Sequence, residues 1–281
     1  MRWEALYSGQ FQGKKDIAAM KKLIILWMAV LLCVSAVACT AGASAKEKIT
    51  FATSADYPPF EFIVLDENNE QKYVGIDVSV ASVIADDLGK ELSVMNMDFD
   101  SLMAALQKGD ADFVLAAIEK TPERLEAADF SDPYYTDLPP MVLVKADKAA
   151  EFNDAATSFE GKSVGAQTGT TKAEIVTNDL TGANLVALTS VNDLVNQLVY
   201  DKIDAVVLDG AVALQYAQSN DSLAVAEVSL GEAYPYCVAV QKGDPKNLLP
   251  SINATIAKLL SEDKITAFAA EADAISDQAI E

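Results

Sequence analysis

Three polar features in this chain stand directly after short apolar runs, and each has a defined binding chemistry. The first follows Phe113-Val114-Leu115, where Ala116 to Thr121 lead to Pro122-Glu123-Arg124. A guanidinium is a planar fork that matches a carboxylate with two parallel hydrogen bonds. Arg124 therefore suits a carboxylate, the competing reading being a surface ion pair. The second is Asp209, which closes the run Val206-Val207-Leu208. A carboxylate there is costly unless it is paired, and an ammonium group would pair it. Its competing reading is the N-cap of a helix over 211–217, and the two are compatible. The third is Gly165-Ala166-Gln167-Thr168-Gly169-Thr170-Thr171, which follows a strand over 162–166 and opens a helix around Ala173. Free N–H groups at a helix N-terminus, with two hydroxyls, suit an anion. Together the three features suit a small zwitterion held by its two charged ends.

Other chemistries are excluded by composition. The 281 residues contain no histidine, which removes the commonest general base and metal ligand, and with them most Ser-His and Cys-His hydrolases. Cys33, Cys39 and Cys237 form no disulfide framework. The net charge of −21 opposes nucleic acid and anionic lipid as partners. Gly161-Lys162-Ser163 resembles the end of a phosphate-binding loop, but Ala156 stands where the first glycine is required and a strand follows. Asp66, Asn68, Glu70 and Asp77 have a faint calcium-loop spacing, but Gln71 stands where that loop needs glycine. No metal or cofactor is expected.

The elements that must position these residues are α/β in pattern. Ile49 to Thr53 alternates as a strand, and Tyr57-Pro58-Pro59-Phe60 is a rigid loop. Phe60 to Val64 runs into a polar hairpin tip at Asp66 to Glu70. Asp77 is expected to cap a helix with Val80, Val83, Ile84 and Leu88 inward and Gly89 at its end. A second helix follows Asp98–Asp100, with Leu102, Met103 and Leu106 inward, and ends at Gly109 before the strand at Phe113. The same order recurs later. Ser190 and Asp193 resemble a capping box, Leu194, Val195, Leu198 and Val199 face inward, and Ala205 to Leu208 is a buried strand. Two α/β lobes with largely parallel sheets follow, and such sheets bind ligands beyond the carboxyl ends of their strands. Cys237, between Tyr236 and Val238, is expected to be a packed thiol in a strand.

The N-terminus carries an export address. Lys21 and Lys22 precede the apolar run 23–38, which is short for a spanning helix, and Met20 is the expected start. Ala36-Val37-Ala38-Cys39 is similar to a bacterial lipobox, with Ala36 where leucine is usual, so Cys39 is the expected lipidation site. Cleavage after Ala43-Ser44-Ala45 is the alternative. Residues 46–281 carry 16 basic and 40 acidic side chains, and both tryptophans, Trp3 and Trp27, lie before them.

Five segments, in order, carry a family resemblance: Thr53 to Phe62, Gly75-Ile76-Asp77-Val78, Thr121-Pro122-Glu123-Arg124 with Asp129 to Tyr135, Gly161-Lys162 through Thr171, and Ile203 to Asp209. Over residues 48–281 the chain resembles the extracellular solute-binding proteins of the polar amino-acid ABC importers, which include the histidine- and glutamine-binding proteins. The resemblance implies a two-lobed, type II Venus-flytrap fold with two crossovers, near Pro139–Met141 and Tyr234–Tyr236. The implied division is 1–45 for extension, signal and tether, 46–140 and 236–281 for the first lobe, and 141–235 for the second. It also implies roles. Arg124 would clamp an α-carboxylate, helped by backbone N–H groups near Ala117 and by Thr171. Asp209 would accept the α-ammonium, and Tyr57 and Phe99 would sandwich the side chain with Phe60 nearby. The implied partners are a free amino acid and a membrane permease, with the protein a lipid-anchored monomer on the outer face of a bacterial membrane.

Two positions depart from the family pattern. Glu119 stands where a serine or threonine usually donates to the carboxylate, so it must turn away, be protonated or receive a cationic group of the ligand. Ser54 stands where the histidine and glutamine binders carry an aspartate. Glu119 is expected to favour a basic or strongly polar amino acid over an acidic one. The alternatives are an amino-acid sensor ectodomain and a cyclohexadienyl-dehydratase-like enzyme on the same fold, with Glu119 or Glu174 as its acid.

Overall fold

A computed structural model describes residues 46–279 of the chain. The expectations for Met20, the apolar run 23–38, Cys39 and the Ala43–Ala45 site fall outside the described residues. In chain order the elements of the first part are β1 (Lys48–Thr53), β2 (Asp56–Tyr57), β3 (Glu61–Leu65), β4 (Gln71–Val74), α1 (Ile76–Asp87), β5 (Glu91–Asn96), α2 (Leu102–Lys108), β6 (Phe113–Val114), α3 (Pro122–Ala127) and β7 (Ala128–Thr136). Then follow β8 (Met141–Lys145), β9 (Ser163–Gln167), α4 (Thr171–Asn178), β10 (Asn184–Leu188), α5 (Val191–Val199), β11 (Ala205–Leu208), α6 (Gly210–Ser219) and β12 (Leu223–Val225). The chain ends with β13 (Pro235–Gln241), α7 (Leu249–Ser261) and α8 (Lys264–Asp273).

These strands form two five-stranded sheets, ordered β5-β1-β6-β13-β7 and β10-β9-β11-β8-β12, and a small three-stranded sheet, β2-β3-β4. In the first, β1 runs parallel to β5 and β6, while β13 returns late in the sequence and pairs antiparallel with β6 and β7. In the second, β9 runs parallel to β10 and β11, and β8 is antiparallel to β11 and β12. The chain thus crosses between the sheets twice, after Thr136 and before Pro235. Each sheet is covered on both faces. The first packs α1 and α7 on one side through Val80, Ile84, Ile252 and Ile256, and Phe99, Leu102 and Leu106 on the other. The second packs Val191, Leu194 and Leu198 of α5 on one face, and Val176 with Phe152 and Phe159 on the other. Complete burial of such a side chain contributes roughly 1.5–3 kcal/mol, so this packing holds each sheet rigid.

Local chemistry places the helix ends. Ser190 accepts from the Asp193 N–H and Thr170 from the Ala173 N–H, which caps α5 and α4. Gly109 closes α2 in a left-handed conformation. The Asp66 carboxylate accepts the Asn68 and Glu70 N–H groups and so builds the hairpin tip between β3 and β4. Asp77 differs from expectation. Gly75 stands at the N-cap of α1, where a Cβ would meet the Phe60 carbonyl oxygen. The Asp77 carboxylate instead reaches across to the Ala117 N–H at 2.8 Å and the Tyr134 hydroxyl at 2.6 Å.

That connection has a structural purpose. Ala117 has φ +47°, a left-handed conformation that costs an alanine on the order of 1 kcal/mol. The charge-assisted bond from Asp77 offsets the cost and holds the turn that carries residues 116–119. Asp77→Ala leaves two buried donors unpaired, at about 1–3 kcal/mol each. Urea unfolding of this variant should show a loss of roughly 3 kcal/mol, whereas Asp66→Ala at the exposed tip should barely move the midpoint. Equal effects for the two would refute this role for Asp77.

Candidate functional site

The carboxyl ends of β1, β6, β9 and β11 deliver their following residues to one place. Ser54 follows β1, and residues 116–119 follow β6. The loop from Thr168 to Thr170 joins β9 to α4, and Asp209 follows β11. Tyr57 comes from the small sheet β2-β3-β4. Ser54, Tyr57, Phe99, Ala117, Glu119 and Asp209 line one cavity, together with Glu61, Gln167, Thr170 and Lys172. Its free volume is only ≈ 10 Å³, about what one water molecule needs.

A buried charge network fills this space. Glu119 is 2% exposed. One of its oxygens accepts from the Thr171 hydroxyl at 2.7 Å and from Lys172 Nζ at 2.6 Å. The other accepts from the Arg124 guanidinium at 2.8 Å. Arg124 also donates to the carbonyls of Glu119 and Gly169, and its guanidinium lies 5.3 Å from the Phe99 ring centroid. Lys172 Nζ sits 2.7 Å from Asp209 Oδ2. The Tyr57 hydroxyl donates to the same Asp209 oxygen at 2.8 Å and accepts the Asp209 N–H at 3.1 Å. The two guanidinium and ammonium charges balance the two carboxylates.

The electrostatics follow from this pairing. Burial pushes the Glu119 carboxyl up, but the charges of Lys172 and Arg124 outweigh it and bring it down to about 2. Glu119 is therefore ionised and paired with Lys172 and Arg124 of the chain itself, a pairing that lies outside the three expected outcomes. Asp209 lies above the ordinary carboxylate range, because its burial and the charge of Glu119 outweigh Lys172. Lys172 is held above the ordinary lysine value, as Asp209 and Glu119 together overcome its burial.

The other expected residues are placed as follows. Asp209 stands at the N-cap of α6 but makes no side-chain capping bond, so its carboxylate is directed into the cleft. The N–H of Ala117 itself is taken by Asp77. Phe60 is fully buried behind Tyr57, with its centroid 6.3 Å away, and packs edge-on against Tyr135 and Tyr236. It supports Tyr57 instead of lining the cavity. Arg124 and Thr171 border an adjoining space of ≈ 180 Å³ and reach the cavity through Glu119. Cys237 is buried in β13.

Two buried charged residues of this cavity were not among the expected ones. Lys172 is the second residue of α4. A cation in the first turn of a helix opposes the macrodipole, and that misplacement is the signal that it serves a buried anion. Glu61 is 1% exposed, and its Oε2 has no hydrogen-bond partner. Burial, followed by the charge of Asp77 and a hydrogen bond with it, pushes the Glu61 carboxyl well above the ordinary range. Its signal is a single charge in the apolar run Phe60 to Val64.

Comparison with known proteins gives a consistent family. The model of the bacterial extracellular solute-binding proteins, family 3, matches residues 49–271. The arginine-binding extracellular protein ArtP of Bacillus subtilis is 35% identical over 211 residues, 73% of this chain and 79% of that protein. The ABC transporter arginine-binding protein 1 of Escherichia coli is 32% identical over 246 residues, 86% of this chain and 95% of that one. A solved amino acid ABC transporter substrate-binding protein from Streptococcus pneumoniae, bound to L-arginine, aligns with a TM-score of 0.76 and 38% identity, covering 81% of this chain and 94% of that one.

The titrating groups around the cleft set a pH profile. Burial raises Asp56, Asp77 and Asp137 from 3.8 to about 6. The folded state then binds more protons than the unfolded one in this interval, so stability is lost as pH rises through about 6. Glu119 is depressed from 4.5 to about 2, so its contribution is lost as pH falls through that window. Thermal unfolding from about pH 2 to about pH 8 should give the highest melting temperature near pH 4–5. A maximum at or above neutrality would contradict these assignments.

Proposed function

Because the chain belongs to the bacterial extracellular solute-binding proteins, family 3, we propose that it is the amino-acid receptor of an ABC importer and that its ligand is a basic amino acid, L-arginine before others. One observation carries the choice of a basic ligand: three buried carboxylates, Glu61, Glu119 and Asp209, line a single small cavity. Glu119 and Asp209 are already balanced by Arg124 and Lys172, so Glu61 is the carboxyl left to answer a further charge, and it rewards a cationic side chain over an acidic one.

In this reading the ligand's α-carboxylate meets Arg124 and the hydroxyl of Thr171, and its α-ammonium meets Asp209 and Tyr57. The apolar part of its side chain lies between Tyr57 and Phe99, beside Ser54 and the turn at Ala117. A guanidinium end meets the unpartnered oxygen of Glu61. A cation there lowers the Glu61 pKa and drives off its proton, so that an arginine with net charge +1 leaves the site neutral. Glu119 keeps Arg124 in register and repels a second carboxylate.

Capture proceeds by hinge closure between two lobes, the first comprising 46–140 and 236–281 and the second 141–235. The hinge lies near Pro139–Met141 and Tyr234–Tyr236. Contacts that cross the cleft support this division: Asp56 accepts the Val191 N–H at 2.8 Å, Arg124 donates to the Gly169 carbonyl, and Tyr57 bonds Asp209. A ligand favours the closed form only through contacts that are better there. We further propose that the exported protein is a monomer anchored by lipidation of Cys39 and delivers its ligand to a membrane permease, without enzymatic activity.

L-Arginine at about 100 times Kd contributes roughly 2.7 kcal/mol to the native state, which raises the melting temperature by about 5–10 °C for a chain of this size. Arg124→Ala and Asp209→Asn should each weaken binding by about 100-fold. Glu61→Gln should weaken arginine while sparing its uncharged isostere citrulline. Tighter binding of glutamate than of arginine would overturn the basic-ligand assignment, and dehydratase activity on prephenate or arogenate would overturn the receptor assignment.

A further inference from the structure

Lys172 is the one component of the charge network that the proposed binding roles leave unused. Its side chain is 4% exposed, and its ammonium lies 2.6 Å from Glu119 and 2.7 Å from Asp209. Asp209 is the carboxylate assigned to the ligand's α-ammonium. A lysine ammonium and an α-ammonium are the same chemical group, each with three donors and a unit positive charge. The cavity around this contact has a free volume of ≈ 10 Å³. That space is too small for an amino acid, and Lys172 is one of the side chains that line it.

Lys172 is also poorly placed for any task other than meeting these carboxylates. It lies in the first turn of α4, where the macrodipole repels a cation, and burial of an ammonium is unfavourable without paired anions. Neither carboxylate depends on it alone. Glu119 retains Arg124 and Thr171, and Asp209 retains the Tyr57 hydroxyl.

We propose that Lys172 sets the affinity and selectivity of the cleft as a tethered competitor: its ammonium occupies the α-ammonium position on Asp209, and a ligand must displace it onto Glu119 to bind. The proposal rests on the receptor reading above and adds a residue that the reading does not require. Two consequences follow. Affinity is lower than the same cleft would have without the lysine, because every binding event replaces an existing ion pair instead of filling an open one. Selectivity for a cationic side chain is also weaker, because the displaced ammonium remains inside the cleft as a like charge.

Calorimetric titration of L-arginine and of citrulline into the exported protein and its variants tests this. Lys172→Gln should bind arginine about 10-fold more tightly and show a larger ratio of arginine to citrulline affinity. Lys172→Arg, which keeps a cation at the position, should stay close to the wild type. Thermal unfolding of each variant verifies that it is folded. If the wild type binds arginine and Asp209→Asn does not, while Lys172→Gln shows unchanged or weaker binding, the competitor role is refuted and the receptor reading stands. If no form, wild type included, binds any amino acid, the receptor reading falls and the competitor role with it.

Discussion

The structure depends on bringing four charges out of water together. Arg124, Glu119, Lys172 and Asp209 form a continuous chain of ion pairs across the cleft. Each would be prohibitively costly to bury alone, and the two signs cancel. Arg124 and Glu119 follow β6 of one sheet, and Lys172 and Asp209 follow β9 and β11 of the other. The bonds of Lys172 and Thr171 to Glu119, and of Arg124 to the Gly169 carbonyl, therefore link the residues gathered at the ends of the two sheets. Low dielectric strengthens these bonds while water is kept out.

The rest of the fold holds this network in register. Parallel strands deposit their following residues at one edge of each sheet, which brings residues distant in sequence, such as Glu119 and Lys172, within 2.6 Å of each other. Behind the cleft, Asp77 ties helix α1 to the strained turn at Ala117 and to Tyr134. Glu61 lies beside Asp77 in this second layer and lines the cavity. One buried acidic pair thereby links the backbone scaffold to the specificity surface. Phe60, in the apolar layer beneath Tyr57, fixes the height of that ring in the same manner.

Much of this was legible in the sequence, because it rests on local rules. Apolar runs of strand length, the helix cap at Ser190, and the hairpin tip at Asp66 each follow from the chemistry of a few neighbouring residues. Asp209 stood out because a charge at the end of a buried strand needs a partner, and Arg124 because its guanidinium fork matches a carboxylate. The partners themselves are long-range facts. That Glu119 meets Lys172 across 53 residues, and that Asp77 serves Ala117 instead of capping its own helix, depends on how two sheets face each other. Lys172 could have been suspected as a cation in the wrong end of a helix, and Glu61 as a lone charge among apolar neighbours. Neither signal names the anion or cation that answers it.

If an amino acid enters this cleft by exchanging its own α-ammonium for that of Lys172 on Asp209, a crystal structure of the protein with L-arginine will show it. The expected result is the ligand ammonium within hydrogen-bonding distance of Asp209 and Tyr57, its guanidinium against Glu61, and Lys172 withdrawn to Glu119. A bound arginine with Lys172 still on Asp209, or with its two ends reversed, would contradict it.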